Sequence, residues 1–384
     1  MQTFKRFLIR LLKFFLYAIA GLTLVVTLTI QMCGDANYKG KLVNPLKPTP
    51  LTADTSPEGR RIQAVLAKIP NYKKGEEQTY LTIPEWYLVF NPNEYADFLS
   101  AGNNPSDFPF FQSINEYWTL YDRVIALTRN IYPNNSEYIT MLRVIGISTT
   151  AEYLLKGAYE NTIGRLTYWT ASAKTPEDKL ITAAQQAYAK LIYTKAWYEF
   201  PFSHWLGKMW RDTSFFGPNF IRKTERKLFF TLEFGIKTVY AKLIGLASAT
   251  AYGPAVDHLT LVVKGDAASI SGIDSRVSIA QDLGHGRLII TVPRWGAFSE
   301  IIPKLAEAGV AFIEISGNDD IAVSVLTDMT SSNAIGDAQF LFESKVFSPA
   351  HRKRLVYSVK VSELSDFIHY VVSHQMRLEH IFDY

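Results

Sequence analysis

Two glutamates set among aromatic rings are the first candidates for chemistry in this chain. Glu85 lies in the string Thr-Ile-Pro-Glu-Trp-Tyr, and Glu94 lies in Asn-Pro-Asn-Glu-Tyr. Two carboxylates beside aromatic platforms could serve a glycosidase, one as acid and the other as base or nucleophile. Each glutamate also follows a capping residue, Thr82 or Asn91, by three positions with a proline in between, which is typical of a helix start. We therefore expect two helix starts, with hydrolysis of an envelope polymer by Glu85, Glu94 or Glu199 as an alternative.

The histidines and the single cysteine do not form a metal-binding or nucleophile pattern in the sequence. His369, His374 and His380 are five and six residues apart, whereas ligands on one helical face need spacings of three or four. The chain contains no Gly-x-Ser-x-Gly and no Ser-x-x-Lys motif. The string Gly284-His285-Gly286 lacks the spacing of a phosphate-binding loop and is expected to lead flexibly into the next strand. The sequence thus indicates no cofactor and no metal, and the catalytic residues, if any, stay unknown.

A dense run of aromatic residues is the strongest candidate for binding. It extends from Trp197 to Pro218 and is interrupted by prolines, so it should not form one continuous helix. Such rings either fill a seam between helices, which is the common case, or form an exposed surface for a partner, a lipid or a glycan. The basic run at 222–227 keeps a contact with the membrane interface open. The partner-binding candidates are Trp197, Trp205, Trp210, Phe215, Phe216, Arg222 and Arg226.

The charge of the chain argues against a nucleic-acid function. The protein has 384 residues, 48% of them hydrophobic, which is enough for about two folded units. Four of its 40 basic residues precede position 14, in a stretch without acids, so residues 33–384 carry 36 basic and 36 acidic side chains. A body without excess positive charge has little attraction for a polyphosphate. The formal net charge of +4 therefore belongs to the N-terminal tail.

The segment from Phe14 to Met32 predicts a transmembrane helix. Its 19 residues carry no charge, and at about 1.5 Å per residue they nearly span a hydrocarbon core of about 30 Å. The basic residues before it predict a cytoplasmic N-terminus and an exported body, residues 33–384, on the inner membrane of a bacterial envelope. A cleaved signal peptide and lipidation of Cys33 remain alternatives, although Met32 is not the small residue that either one needs.

After the anchor, the chain is expected to pass through a linker into a helical domain. Residues 33–78 are rich in proline and predict a spacer that holds the body off the bilayer. Residues 79–253 show helical periodicity, with an amphipathic helix at 110–131. A second one is expected to begin at Pro176, with Thr175 as its capping residue. The domain should also carry a solvated stripe of ion pairs at i+4 spacing, formed by Glu152, Lys156 and Glu160.

The stretch 228–251 is the most apolar part of the chain after the anchor. It contains Glu233, Lys237 and Lys242, and each charge would cost several kcal/mol near a bilayer centre, so a second membrane span is rejected. Two interpretations remain. The segment is either a core helix whose charges reach the surface or a helix that lies in the membrane interface.

The periodicity changes from helical to alternating at about residue 254. Strands are predicted at 259–263, 287–292, 310–316 and 321–326, with a Ser299-capped helix to residue 308 and a tight hairpin turn at 317–320. A strand–helix–strand unit follows from residue 354, after an insertion at 327–353 that holds one extra strand. This order is typical of a split βαβ, ferredoxin-like domain over residues 254–384. The expected fold class is α+β, with one transmembrane helix, an all-α domain and a ferredoxin-like α+β domain.

These patterns favour a membrane-anchored, exported accessory or scaffold protein that docks on another component of the envelope or of a membrane complex. A small-ligand sensor in the C-terminal domain is one alternative, which rests on analogy of fold alone. The carboxylate-based hydrolase is the other.

Overall fold

A computed structural model describes residues 44–49, 56–251 and 257–384, with the backbone alone for 247–251. The predicted anchor at 14–32 and Cys33 lie outside the described residues. Within these ranges the protein is α+β, with a helical N-terminal part followed by antiparallel sheets. None of the described helices combines the length and the apolar composition needed to cross a bilayer.

The N-terminal part is built from helices whose apolar faces pack on one another and on the sheets. In chain order they are α1 (Pro57–Leu66), α2 (Gln78–Ser100), α3 (Phe110–Thr128), α4 (Ser136–Tyr159), α5 (Arg165–Trp169), α6 (Pro176–Leu191), α7 (Phe202–Asp212) and α8 (Phe220–Ala251). A π-helical turn, Glu160–Gly164, joins α4 to α5. The start of α6 confirms the predicted cap, because the Thr175 hydroxyl accepts from the Asp178 N–H and the Asp178 carboxylate accepts from the Thr175 N–H.

Helix α2 shows that the two predicted helix starts at Glu85 and Glu94 are wrong. Pro84 and Pro92 both lie inside this one 23-residue helix. A proline inside a helix removes a backbone hydrogen bond and costs about 3 kcal/mol. The helix is buried along most of its length, with aromatic residues such as Trp86 packed in the core, and this packing offsets the loss.

The C-terminal part contains two four-stranded antiparallel sheets, where one ferredoxin-like domain was predicted over residues 254–384. The first holds β1 (His258–Lys264), β2 (Ser278–Gly284), β3 (Arg287–Pro293) and β4 (Ala311–Ile315), in the order β2-β3-β1-β4. The second holds β5 (Asp320–Asp328), β6 (Gln339–Lys345), β7 (Arg352–Lys360) and β8 (Arg377–Phe382), in the order β6-β7-β5-β8. The intervening helices are α9 (Ala267–Ile273), α10 (Gly296–Glu307) and α11 (Leu364–Ser373). All neighbouring strands are antiparallel.

Strand alternation explains how the two sheets share one core. On one face of β5, Ile321, Val323 and Val325 point the same way, because alternate residues of a strand share a face. They belong to one buried apolar cluster with residues of α10, of α11 and of the first sheet. Ala322, on the opposite face of β5, packs against α2 and α3. On the far side of the first sheet, Val262 contacts Ile62 and Leu66 of α1. Helices α10 and α11 therefore lie between the sheets, and the helical N-terminal part covers the outer face of the second sheet.

Several predictions for the C-terminal part need correction. Residues 317–320 do not form a hairpin turn, because β4 pairs with β1 whereas β5 pairs with β7 and β8. Ser299 lies inside α10, where its hydroxyl bonds to His380 Nδ1 at 2.7 Å, and does not cap the helix. Helix α9 was not predicted. Strand β2 was not predicted either, because five of its first six residues are exposed and show no alternation of buried and exposed positions. The string Gly284-His285-Gly286 forms the turn between β2 and β3, with positive φ at all three residues.

The predicted linker is partly folded onto the body. Leu46 is buried in the core between the helices and the second sheet, and the Asn44 amide donates to the Phe340 carbonyl at 2.9 Å. The Thr49 hydroxyl donates to Asp320 at 2.7 Å, and helix α1 covers the first sheet. The stretch able to separate the body from the predicted anchor is therefore shorter than the sequence suggests.

Candidate docking surface

The aromatic segment divides into a packed half and an exposed half. Trp197 and Trp205 are partly buried against the seam between α6, α7 and α8, as in the core-filling interpretation. The second half is exposed although its rings are large. We call this exposed group the aromatic cap; it consists of Trp210, Phe215, Phe216 and Phe220, which are 46%, 41%, 75% and 44% exposed.

The aromatic cap is held in a defined arrangement. Trp210 Nε1 donates to the Thr231 hydroxyl of α8 at 3.0 Å. The Phe216 and Phe220 rings are stacked with centroids 6.0 Å apart, and Phe215 meets Phe216 edge-on at 5.3 Å. These contacts limit the conformations of the rings in the free protein, so a partner that binds them has less conformational entropy to remove.

Arg222 and Arg226, the two basic binding candidates, are not part of the exposed surface. Their side chains are each 1% exposed. Arg222 pairs with Asp178 at 2.9 Å, and Arg226 pairs with Glu160 at 2.7 Å. They belong to a network of ion pairs inside the helical N-terminal part and are not available at its surface.

The same network overturns the predicted solvated stripe on α4. Glu160 is buried against Arg226, and its side chain is 2% exposed. Lys156 and Glu152 reach across to α8 instead of pairing with each other. The ion pairs between α8 and its neighbours are Arg222–Asp178, Arg226–Glu160, Lys227–Glu177, Glu233–Lys156 and Lys237–Glu152. Helix α8 thus directs its charged residues towards the protein.

The outward face of α8 is aliphatic. Six side chains recur at spacings of three, four or seven residues and are each 58–61% exposed: Ile221, Leu228, Leu232, Ile236, Val239 and Leu243. Over this stretch the exposed charged residue is Lys242. An ordinary surface helix turns its charges outward. Helix α8 instead presents aliphatic side chains outward, while its paired charges lie inward beside the buried rings of Phe230 and Phe234.

Helices α4 and α8 run antiparallel. Lys156 contacts Glu233 at 3.0 Å, and three residues further along α4 the ring of Tyr159 stacks on that of Phe229 with centroids 3.7 Å apart. As the residue number rises along α4, the number of the residue that it contacts on α8 falls.

A second exposed stripe lies on α4, the π-helical turn and α5, beside that of α8. Leu155 directly precedes the contact residue Lys156, just as Leu232 directly precedes Glu233. Consecutive helical residues are about 100° apart, so in an antiparallel pair the residues before the two contact positions turn to the same side. The exposed residues Leu155, Ile163, Leu166 and Trp169 and the six residues of α8 together form what we call the apolar face.

The candidate carboxylates do not converge on one site. Glu85 and Glu94 are nine residues apart on α2, or about 14 Å along the axis, whereas paired glycosidase carboxylates lie roughly 5–9.5 Å apart. Glu85 accepts from the Tyr138 hydroxyl, and Glu94 pairs with Arg354 at 3.0 Å. Glu199 lies at the surface, where it accepts from the Ala196 N–H. The geometry gives no support to a two-carboxylate mechanism.

The three C-terminal histidines are also separated. His380 is buried on β8 beside Trp86, with ring centroids 3.5 Å apart, and burial holds its pKa well below the usual value. His374 stacks on Tyr370 at the end of α11, 3.8 Å between centroids. In the part of the chain that the structure describes, no group of three or more His, Cys, Asp or Glu side chains is arranged to hold a metal ion.

The apolar face is the feature that sequence reasoning left undecided. The signal was present in the spacing of the aliphatic residues of α8. The sequence alone did not show that the charged residues between them pair with residues of α4 and α6. Because these pairs lie on the inner side of α8, its aliphatic residues face outward. Compared with protein-family models, with curated proteins and with solved structures, the chain has no match.

Proposed function

We propose that this protein is a membrane-anchored, exported accessory or scaffold protein that docks on a protein component of a membrane complex through the aromatic cap. The observation that carries the proposal is an exposed cluster of large rings that is nonetheless held in place, as by the Trp210–Thr231 hydrogen bond. Trp and Phe are enriched in protein interfaces, where a few well-packed aromatic anchors supply most of the binding energy. The carboxylates described above offer no competing catalytic site.

The border of the aromatic cap indicates the chemistry of the partner. His204 and Arg211 are exposed on α7, and Lys208 lies over the Trp205 ring, 4.8 Å from its centroid. Asp212 is paired with Arg211 at 2.7 Å, so Lys208 leaves α7 with one net positive charge from its Lys, Arg, Asp and Glu residues. The partner is expected to offer an apolar hollow with acidic residues around it, because complementary borders guide docking and fix its orientation.

Covalent geometry supports a partner within or beside the same membrane. Eleven residues separate the predicted anchor, which ends at Met32, from Asn44, which is bound to the body. Whatever its conformation, this stretch cannot exceed about 40 Å. The body would therefore stay near the bilayer, where its effective concentration towards a membrane component is high.

We also propose that each four-stranded sheet belongs to a ferredoxin-like unit. In the first sheet β3 lies between β1 and β2, and β1 lies between β3 and β4, which is the arrangement of two split βαβ units. The second sheet has the corresponding order, with residues 329–338 in place of the first helix. Cross-strand nuclear Overhauser effects that pair the strands of either sheet in another order would contradict this assignment.

The docking function is tested by removing two contacting rings of the cap, Phe215 and Phe216. The full chain is extracted from its own membrane in a mild detergent and its mass is measured by native mass spectrometry. We expect a complex of defined mass for the natural chain. The Phe215→Ala/Phe216→Ala variant should lose this complex, because alanine lacks the two rings that would contact the partner.

The matched control is Val372→Ala, which shortens an apolar side chain that is 55% exposed on α11. The control should keep the complex. A strictly monomeric natural chain, or a complex that survives loss of both phenylalanines, would refute docking through the cap.

A further inference from the structure

We propose that the apolar face lies against the lipid bilayer, with its aliphatic side chains among the acyl chains just below the headgroups. This inference rests on the proposed function, since it takes the chain to be membrane-anchored. It adds a second contact to the aromatic cap: the apolar face would bind lipid and orient the body, and the cap would bind the partner.

The apolar face is as large as the largest apolar patches of soluble monomers, which are often functional. From Ile221 to Leu243 it runs about 33 Å along α8, at about 1.5 Å per residue. With α4 and α5 alongside, it is two helices wide, or about 18 Å. The product, roughly 600 Å², is at the upper limit of the largest apolar patch on a typical soluble monomer.

The distribution of charge fits lipid. Arg226 and Glu233 of α8 are paired inside the protein, and Lys237 of α8 is paired with Glu152 of α4, whose side chain is 43% exposed. These three α8 residues therefore need no water on the outward side, where an unpaired charge among acyl chains would be costly. Lys242 is exposed beside the face, and its long stem allows the ammonium group to reach the headgroups. A helix of this kind lies on the membrane without crossing it.

The side chains on the apolar face also distinguish lipid from a protein partner. Helices that pack on each other within membranes use small residues so that their backbones can approach, and soluble interfaces are enriched in aromatic residues and arginine. All six positions of the α8 stripe hold Leu, Ile or Val. Two adjacent helices with such side chains form a convex apolar surface that mobile acyl chains can cover, and they offer no pocket for a side chain of a protein partner.

The tether makes this contact sterically accessible. The predicted anchor is joined to the body at Asn44 by a stretch of at most about 40 Å. The body is about as large as that distance, since a domain of some 300 residues has a radius of gyration of roughly 19 Å. It cannot move far from the bilayer, so even a modest affinity of the apolar face for lipid would keep it bound.

The test places a reporter on the apolar face in a membrane without other proteins. Cys33 is changed to Ser in the full chain, which removes the one native cysteine, and an environment-sensitive fluorophore is attached to Ile236→Cys. The control carries the same fluorophore at Val372→Cys. Both proteins are placed in vesicles of phosphatidylethanolamine and phosphatidylglycerol and exposed either to iodide in the water or to brominated acyl chains. We expect iodide to quench the Ile236 label at least threefold less than the Val372 label, and the brominated lipids to show the reverse order.

Two results would overturn the inference. Equal quenching of both labels by iodide would show that the face is open to water. An Ile236 label shielded from iodide but not quenched by brominated lipids would show that a second copy of the chain covers the face. In either case docking through the cap would stand or fall separately, because it is measured by the mass of the native complex and its dependence on Phe215 and Phe216.

Discussion

Replacing Glu94 with glutamine should change how the stability of this protein depends on pH. Glu94 projects from α2 into a buried group formed with Arg354 of β7 and Glu379 of β8. Arg354 Nη2 donates to Glu94 at 3.0 Å and to Glu379 at 2.8 Å, so two carboxylates share one guanidinium. The three side chains are 3–6% exposed. This group joins the helical domain to the second sheet.

The size of the effect follows from the pKa of Glu94. Burial raises it from 4.5 to about 7; Arg354 and the Phe347 N–H oppose this rise, and the negative charge of Glu379 adds to it. One pKa unit corresponds to about 1.4 kcal/mol, so the ionised carboxylate costs the folded state about 3 kcal/mol.

The direction follows from proton binding. Between about pH 4.5 and pH 7 the folded chain keeps a proton on Glu94 that the unfolded chain has released. The contribution of Glu94 to the free energy of unfolding is therefore full below pH 4.5, falls as pH rises through 7 and is constant above. Glutamine does not titrate. It also loses a hydrogen bond at every pH, which lowers stability by about 1 kcal/mol without changing the pH dependence.

The assay is urea unfolding of the full chain in a mild detergent at half-unit steps from pH 4.5 to pH 8, followed by tryptophan fluorescence. Relative to the natural chain, Glu94→Gln should gain about 3 kcal/mol of unfolding free energy between pH 4.5 and pH 7.5. The control is Glu343→Gln on β6, an exposed carboxylate, which should give a curve parallel to that of the natural chain. A parallel curve for Glu94→Gln as well would refute the reasoning.

Three further substitutions test the packing of the helical domain by thermal or urea unfolding. Gly146→Ala should destabilise the protein by about 1–3 kcal/mol, because the added Cβ would lie 2.2 Å from a buried tyrosine ring, whereas Gly207→Ala, with nothing within 4 Å, should be neutral or stabilising. Thr175→Ala should cost about 1 kcal/mol by removing the cap of α6. Arg226→Met should cost about 3–5 kcal/mol by leaving a buried carboxylate unpaired, and adding Glu160→Leu should recover most of that loss; a double variant no more stable than the single one would contradict the pairing.

The sequence predicted elements well where one physical signal dominated. The apolar period of α3 and the capping residues of α6 were sufficient, and both helices lie where they were expected. It failed where tertiary packing outweighed local preference. Pro84 and Pro92 resemble helix starts, yet α2 continues through both because it is surrounded by core contacts.

The candidate surface could be predicted in part for a similar reason. Trp210, Phe215 and Phe216 were singled out from composition, and the structure places them at the surface. Arg222 and Arg226 were grouped with them because they follow in the sequence, but their partners, Asp178 and Glu160, come from other helices. Pairing across helices has no local signal, so neither the burial of these arginines nor the aliphatic outward side of α8 could be derived from one sequence.

In-cell photo-crosslinking at Phe216 tests the docking function most directly. A photo-reactive phenylalanine analogue is placed at Phe216 or, as the control, at Val372, and intact cells are irradiated. The account predicts one cross-linked product of constant mass from position 216, its loss when Phe215→Ala is added, and no such product from position 372. The same products from both positions, or none from position 216, would contradict docking through the aromatic cap.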